Sequence, residues 1–277
     1  METGKRKRNR TGVVALLLLL GCGILAGCGT KTKHTEEKPE LIIGITIYEP
    51  YVYKNVKGDY AGIDVELMKE ACARSGFEPV LKEIDISERF SSLADGSVDC
   101  LWSALTMDGR ENEYLWAGPY LYAQRIAVVP LESDINTLED LEDKRVSVQA
   151  GSTSEEIIIN GLNPDFPQLK QLTTFNSVGE VFAALRKGYV DAAAGLEGAL
   201  QVYMTEYPGE YRSLSMSLRS EALGVAFRKQ EDEEVAQKLS LAFREMIEDG
   251  TTAQIIESYG LDVDKNVYGG SNHGETD

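Results

Sequence analysis

Ser103, Thr106 and Arg110 follow an apolar run, Val98-Asp99-Cys100-Leu101-Trp102, in the stretch GSVDCLWSALTMDGR. That run reads as a buried strand breaking into a polar loop. A guanidinium placed after a strand end can grip a carboxylate through two parallel hydrogen bonds. Hydroxyls a few residues before it can fix the orientation of a small ligand. Taken alone, the stretch also reads as a strand and a solvated turn, with Arg110 in a surface ion pair.

Other chemistries find little support. Both histidines, His34 and His273, lie in polar tails outside any periodic segment. A His-based triad, a His general base or a His-rich zinc site is thereby disfavoured. Cys22, Cys28, Cys72 and Cys100 form no CxxC pair, so no metal and no cofactor is expected. Cys72 and Cys100 read as small buried residues, and a disulfide between them stays open. The net charge of −17 argues against nucleic acid, whose phosphates need Lys and Arg partners. At 277 residues the chain suits two modest lobes better than one small core.

The elements that would position these residues alternate between strand and helix. The run Leu41-Ile42-Ile43-Gly44-Ile45-Thr46 reads as a strand leading into an aromatic loop with Tyr48 and Tyr51. Ile63, Leu67, Met68, Ala71 and Cys72 recur at helical spacing up to Gly76. A strand follows over 80–84, and Ser87 is placed to cap a helix carrying Phe90 and Leu93. This alternation predicts an α/β architecture with mainly parallel sheets, whose ligands sit beyond the carboxyl ends of strands. Tyr48, Tyr51, Ser103 and Arg110 could then converge. In the second half, 145–149 reads as a strand, and Ser152 with Glu155 matches a capping box opening a helix. One pattern occurs twice, as Phe90-Ser-Ser-Leu93-Ala-Asp-Gly96-Ser-Val98-Asp99 and Phe182-Ala-Ala-Leu185-Arg-Lys-Gly188-Tyr-Val190-Asp191, and it suggests two similarly built lobes.

The N-terminus carries a basic stretch, KRKRNR, an apolar core and Leu25-Ala26-Gly27-Cys28. Residues 1–27 read as a secretory signal. The ending resembles a bacterial lipobox, which implies lipidation of Cys28 and attachment to the cell membrane from the extracytoplasmic side. Residues 28–40 read as a flexible tether and 264–277 as a disordered tail.

From about Leu41 to Tyr259 the chain resembles the family 3 bacterial extracellular solute-binding proteins, the polar-amino-acid-binding components of ABC importers. The likeness rests on motifs in order. They are Ile43-Gly44 with Tyr48-x-Pro50-Tyr51, Gly62-Ile63-Asp64-Val65-Glu66-Leu67, Gly96-x-Val98-Asp99 with Ser103, Thr106 and Arg110, Trp116-x-Gly-Pro119-Tyr120, and Leu138-x-x-Leu141. They continue with Val148-Gln149-Ala150-Gly151-Ser152-Thr153, Gly188-x-Val190-Asp191, Gly224-Val225-Ala226 and Asp249-Gly250-Thr251. The resemblance implies a two-lobed, type II periplasmic-binding-protein-like fold. Lobe 1 would span 41–123 plus 222–263 and lobe 2 would span 124–221, with two crossing hinge segments near 124–126 and 220–223.

It further implies that Arg110 holds a ligand carboxylate with help from the backbone N–H groups of Ser152 and Thr153. Ser103 and Thr106 would bond the ligand's polar groups, and Tyr48 would cover its side chain. The chain departs from the family pattern at Leu196, where an aspartate for the ligand ammonium is usual; Glu197 is the adjacent substitute. It also departs at Ile86, usually aromatic, and in a loop one residue shorter before Arg110. The implied partners are an amino-acid-like solute and an ABC permease, with the protein itself a monomer and not an enzyme. The alternatives are a prephenate/arogenate-type dehydratase on the same fold, or a ligand-sensing module.

Overall fold

A computed structural model describes residues 38–164, 166–216, 220–229 and 233–269. The signal segment, Cys28 and nearly all of the tether lie outside the described residues.

Strand β1 (Glu40–Ile45) is followed by the short hairpin β2 (Tyr53–Lys54) and β3 (Tyr60–Ala61), then helix α1 (Ile63–Ser75). Next come β4 (Glu78–Glu83), α2 (Arg89–Ala94), β5 (Cys100–Leu101) and β6 (Leu115–Ala123). The chain then enters a second sheet with β7 (Arg125–Pro130), β8 (Arg145–Gln149), α3 (Thr153–Asn160), β9 (Gln171–Phe175), α4 (Val178–Arg186), β10 (Ala192–Leu196), α5 (Glu197–Glu206) and β11 (Tyr211–Ser215). It returns as β12 (Glu221–Phe227) and closes with α6 (Glu233–Glu248), α7 (Thr251–Ser258) and α8 (Val263–Tyr268).

The first sheet has the order β4-β1-β5-β12-β6 and the second the order β11-β7-β10-β8-β9. Read from its other edge, the second sheet matches the first strand for strand. β1 runs parallel to β4 and β5, as β8 does to β9 and β10. The sheets are mixed rather than mainly parallel, because β12 pairs antiparallel with β5 and β6, and β7 pairs antiparallel with β10 and β11. These strands adjoin the passages between the two sheets, so their direction follows from the crossing and not from a local strand–helix–strand step.

The repeated sequence pattern does the same work in both lobes. Asp99 Oδ2 accepts from the Ile42 amide at 2.7 Å, while the Asp99 amide donates to Ile42 O at 2.8 Å. Asp191 Oδ2 accepts from the Arg145 amide at 2.8 Å, and its own amide donates to Arg145 O at 2.8 Å. Each aspartate thus clamps the equivalent strand of its lobe, β1 in one and β8 in the other.

The core of the first lobe is aromatic. Trp102 packs edge-on to Phe243 with ring centroids 5.2 Å apart and lies 5.5 Å from Tyr120. Helix α6 supplies one apolar face, with Ala236, Leu239, Ala242, Phe243 and Met246 buried at helical spacing. Cys72 and Cys100 are buried free thiols.

Two local expectations change. The start of the expected tail forms α8, capped by Asp262, whose side chain accepts from the Lys265 amide, and anchored by buried Val267. Ser87 caps no helix. Its hydroxyl donates to Asp85, and α2 begins after Glu88 without a side-chain cap.

Candidate ligand-binding cleft

The loop between β5 and β6 is fixed from behind and from the side. Ala104 adopts φ 46° and donates its amide to Asp64 Oδ2 at 2.6 Å. Asp64 lies fully buried in the first turn of α1 and also accepts from the Tyr120 hydroxyl at 3.0 Å. Further along, Met107 donates to Ala222 O at 2.8 Å, Asp108 Oδ2 accepts from the Ala222 amide at 3.0 Å, and Gly224 donates to Leu105 O at 3.0 Å. The loop that carries Ser103, Thr106 and Arg110 is therefore laced to β12, the strand that returns from the second lobe.

Burial drives the Asp64 carboxyl up to about 7, against the opposing pull of its two donors. The unfolded chain releases this proton near the ordinary carboxyl value of 3.8, and the folded protein keeps it to about 7. Between those values the native state binds the extra proton, so stability falls as pH rises from about 4 to about 7. Asp64→Asn keeps an acceptor for Ala104 and cannot ionise. Relative to wild type, this variant is expected to gain stability across that window, by on the order of 2–4 kcal/mol. Urea unfolding of both proteins at the two ends of the window measures it, and a constant difference would rule out the assignment.

Arg110 is only 7% exposed. Its guanidinium lies over the Phe90 ring at 5.6 Å and pairs with Glu156 on α3, in the other lobe. Opposite it, Gly151 turns the chain at φ 71° into α3. Ser152 is the N-cap, its hydroxyl accepting from Glu155 N at 3.3 Å, while the Glu155 carboxylate accepts from Gly151 N at 2.5 Å. Half of the expected capping box is thus displaced by one residue. The full box is found instead at Ser177 and Glu180 of α4. The first-turn amides of Thr153 and Ser154 have no intrahelical acceptor, and the helix dipole adds positive potential there.

Two spaces lie between the lobes. The outer one, about 510 Å³, is lined by Thr106, Asp108, Arg110, Glu113, Thr153, Glu156 and Glu221 among others. The inner one, about 30 Å³, is lined by Thr46, Tyr48, Ile86, Arg89, Ser103, Arg125, Ser152, Thr153 and Leu196 among others. Thr153 borders both. Tyr48 spans the gap, its hydroxyl accepting from the Leu196 amide at 3.3 Å, and burial holds that phenol above its ordinary pKa. The Ser103 hydroxyl donates to Thr46 O at 2.6 Å and keeps its lone pairs free to accept. Six of the expected ligand residues thus line one cleft. Glu197 does not. Its carboxylate lies 3.8 Å from Lys265 of α8, and it lines neither space.

A family model described as bacterial extracellular solute-binding proteins, family 3, matches residues 41–262. The chain belongs to this family. The histidine-binding periplasmic protein of Escherichia coli K12 is 30% identical to it over 232 residues, 80% of this chain and 86% of that one. The arginine-binding extracellular protein ArtP of Bacillus subtilis 168 is 28% identical over 244 residues, 85% of this chain and 93% of that one. Among solved structures, an ancestral arginine-binding protein bound to arginine superposes with a TM-score of 0.70 at 28% identity, covering 80% of this chain and 98% of that one.

In this solute-binding protein three further charged residues shape the cleft, and sequence reasoning passed over all of them. Arg125, at the start of β7, is 4% exposed. Its Nε lies 2.7 Å from Glu221 Oε1, its Nη2 donates to Glu221 Oε2 at 2.7 Å, and its Nη1 donates to Ser154 at 2.9 Å. The pair ties the first crossing segment to the second. A charge opening the otherwise apolar strand Arg-Ile-Ala-Val-Val was the available signal. Arg89 had none, because it reads as an ordinary polar position on a short helix.

Proposed function

We propose that this protein captures an amino acid, or a similar small carboxylate-bearing solute, between its lobes and hands it to an ABC permease. The reading extends to a monomer held at the outer face of the cell membrane by lipid on Cys28. Among the described residues no helix is long and apolar enough to cross a membrane. The observation that carries the proposal is the placement of buried Arg110 and the free first-turn amides of α3 on facing walls of one cleft. A fork of donors and a helix N-terminus converge there on the space a carboxylate would fill.

The Arg110–Glu156 contact supports the same reading. There the guanidinium already faces a carboxylate from across the cleft, and the Glu156 side chain is 39% exposed. Glu156 can swing into water at small cost when a ligand carboxylate replaces it. The Tyr48 ring and the hydroxyls of Ser103, Thr106 and Ser152 then orient the rest of the solute.

A thermal-shift screen of the purified protein against the twenty amino acids tests this. One amino acid, or a chemically related few, is expected to raise Tm by mass action. A flat response to all twenty would overturn the reading.

A further inference from the structure

Tyr51 ends in a buried hydroxyl. The residue is 1% exposed, and its Oη has no hydrogen-bond partner among the described residues. Its backbone is fixed in the first lobe, where its amide donates to Tyr48 O at 2.9 Å and its carbonyl accepts from the Asp64 amide of α1 at 3.0 Å. Its ring stacks on that of Tyr48, with centroids 5.9 Å apart and planes at 18°. Both phenols meet the passage from β10 into α5 in the second lobe. There the Tyr48 hydroxyl finds the Leu196 amide at 3.3 Å. The Tyr51 hydroxyl instead meets Gly198.

Gly198 is buried in the first turn of α5, and its φ lies outside the left-handed region. Alanine would be the better helix former at such a position. Tyr51 is what excludes a side chain. A Cβ built on Gly198 meets Tyr51 Oη at 2.8 Å, closer than a real contact allows. The next atoms, Leu261 Cδ1 and Tyr51 Cζ, both lie at 3.4 Å, an ordinary packing distance. The hydroxyl alone therefore fills the place of the missing side chain. Neither Tyr51 nor Gly198 lines either space of the cleft.

We propose that Tyr51 and Gly198 form a closing contact between the lobes, which sets how tightly the protein holds its solute without touching the solute. The inference rests on the solute-capture reading above. When the lobes part, the Tyr51 hydroxyl reaches water. When they close, it gives up that water and gains no partner, a net cost. The Tyr48 hydroxyl beside it is compensated by the Leu196 amide. A group that only costs on closure keeps the unliganded lobes apart, and the solute's apparent affinity falls with the closed fraction. Tyr51 is thus a positioning residue that opposes closure, and Gly198 is the recess that still permits it.

The test compares wild type, Tyr51→Phe, Gly198→Ala and the double variant by calorimetric titration with L-histidine, L-arginine, L-glutamine and L-glutamate. A second arm needs no solute. It measures how fast cysteines introduced as Ile86→Cys and Gly151→Cys, at Cβ positions 3.8 Å apart, cross-link in each background. Tyr51→Phe is expected to tighten binding at least about fivefold and to speed cross-linking by a similar factor, because the uncompensated hydroxyl is gone. Gly198→Ala is expected to weaken binding and slow cross-linking at least about fivefold, since its methyl meets Oη on closure. Its unliganded melting temperature should not fall, because alanine suits the helix. The double variant should recover at least wild-type values, since the methyl then meets only atoms at packing distance. Tighter binding on removing a hydroxyl, and rescue of one variant by the other, are results that a purely structural role would not produce. Unchanged or weaker binding in Tyr51→Phe would overturn the inference. So would a Gly198→Ala protein that melts lower yet binds as wild type does, which would make the contact permanent. If none of the four amino acids binds and the screen of all twenty is flat, solute capture fails; the cross-linking rates then decide the closing contact alone, and equal rates in all four backgrounds would overturn it.

Discussion

Arg110→Ala is expected to weaken binding of the cognate solute by at least about a hundredfold, roughly 3 kcal/mol, because it removes a desolvated charged fork facing a carboxylate. The ligand-free protein should lose far less. The Arg110 partner, Glu156, is 39% exposed and returns to water when the guanidinium goes. What remains is the packing of the arginine stem near Phe90, worth about 1 kcal/mol. Arg110→Lys restores the charge without the fork and should recover only part of the affinity. Calorimetric titration of both variants against wild type, with thermal melts of the unliganded proteins, separates binding from folding. Full affinity in Arg110→Ala would remove this residue from the site.

Arg125→Met is expected to do the opposite, acting first on folding. Arg125 and Glu221 are 4% and 12% exposed at their side chains, so the carboxylate left behind cannot reach water as Glu156 can. Breaking a buried pair from one side costs about 3–5 kcal/mol, because an unmatched charge remains in the interior. Removing both charges, as in Arg125→Met with Glu221→Leu, should return most of that stability. Urea unfolding of the two singles and the double forms a cycle, and near-additive losses would mean that the pair is not coupled across the two crossings. Since Arg125 also borders the inner space, the double variant is further expected to bind solute less tightly than wild type.

Much of this architecture was legible in the chain. The repeated pattern ending in Asp99 and Asp191 announced two like lobes, and both aspartates turn out to clamp equivalent strands. Tyr48, Ser103, Thr106 and Arg110 could be marked because each follows a strand end, and such ends face the cleft, whereas Ser152 and Thr153 were marked as ligand residues through the family resemblance. The unread parts depend on contacts between distant segments. Arg125 meets Glu221 only because two crossing segments run side by side. Glu197 turns toward Lys265 because a helix forms where a disordered tail was expected. Arg89 lies on an unremarkable polar helix, and only the folded cleft brings it beside Tyr48 and Ser103 in the inner space. The mixed sheets were missed for a related reason, since a strand returning from another lobe has no local sequence signature of its direction.

Capture between the lobes can be tested by locking them together. A Cβ built on Gly151 lies 3.8 Å from the Cβ of Ile86, on the opposite side of the cleft, a separation that suits a disulfide. Gly151 has φ 71°, so a cysteine there carries about 1 kcal/mol of backbone strain. The measurement is solute binding by the Ile86→Cys, Gly151→Cys protein in its reduced and oxidised forms. The reduced form is expected to bind, while the form oxidised without solute excludes it. The form oxidised with solute present retains the solute through dialysis until a reductant is added. Free exchange of solute with the oxidised protein would contradict enclosure between the lobes.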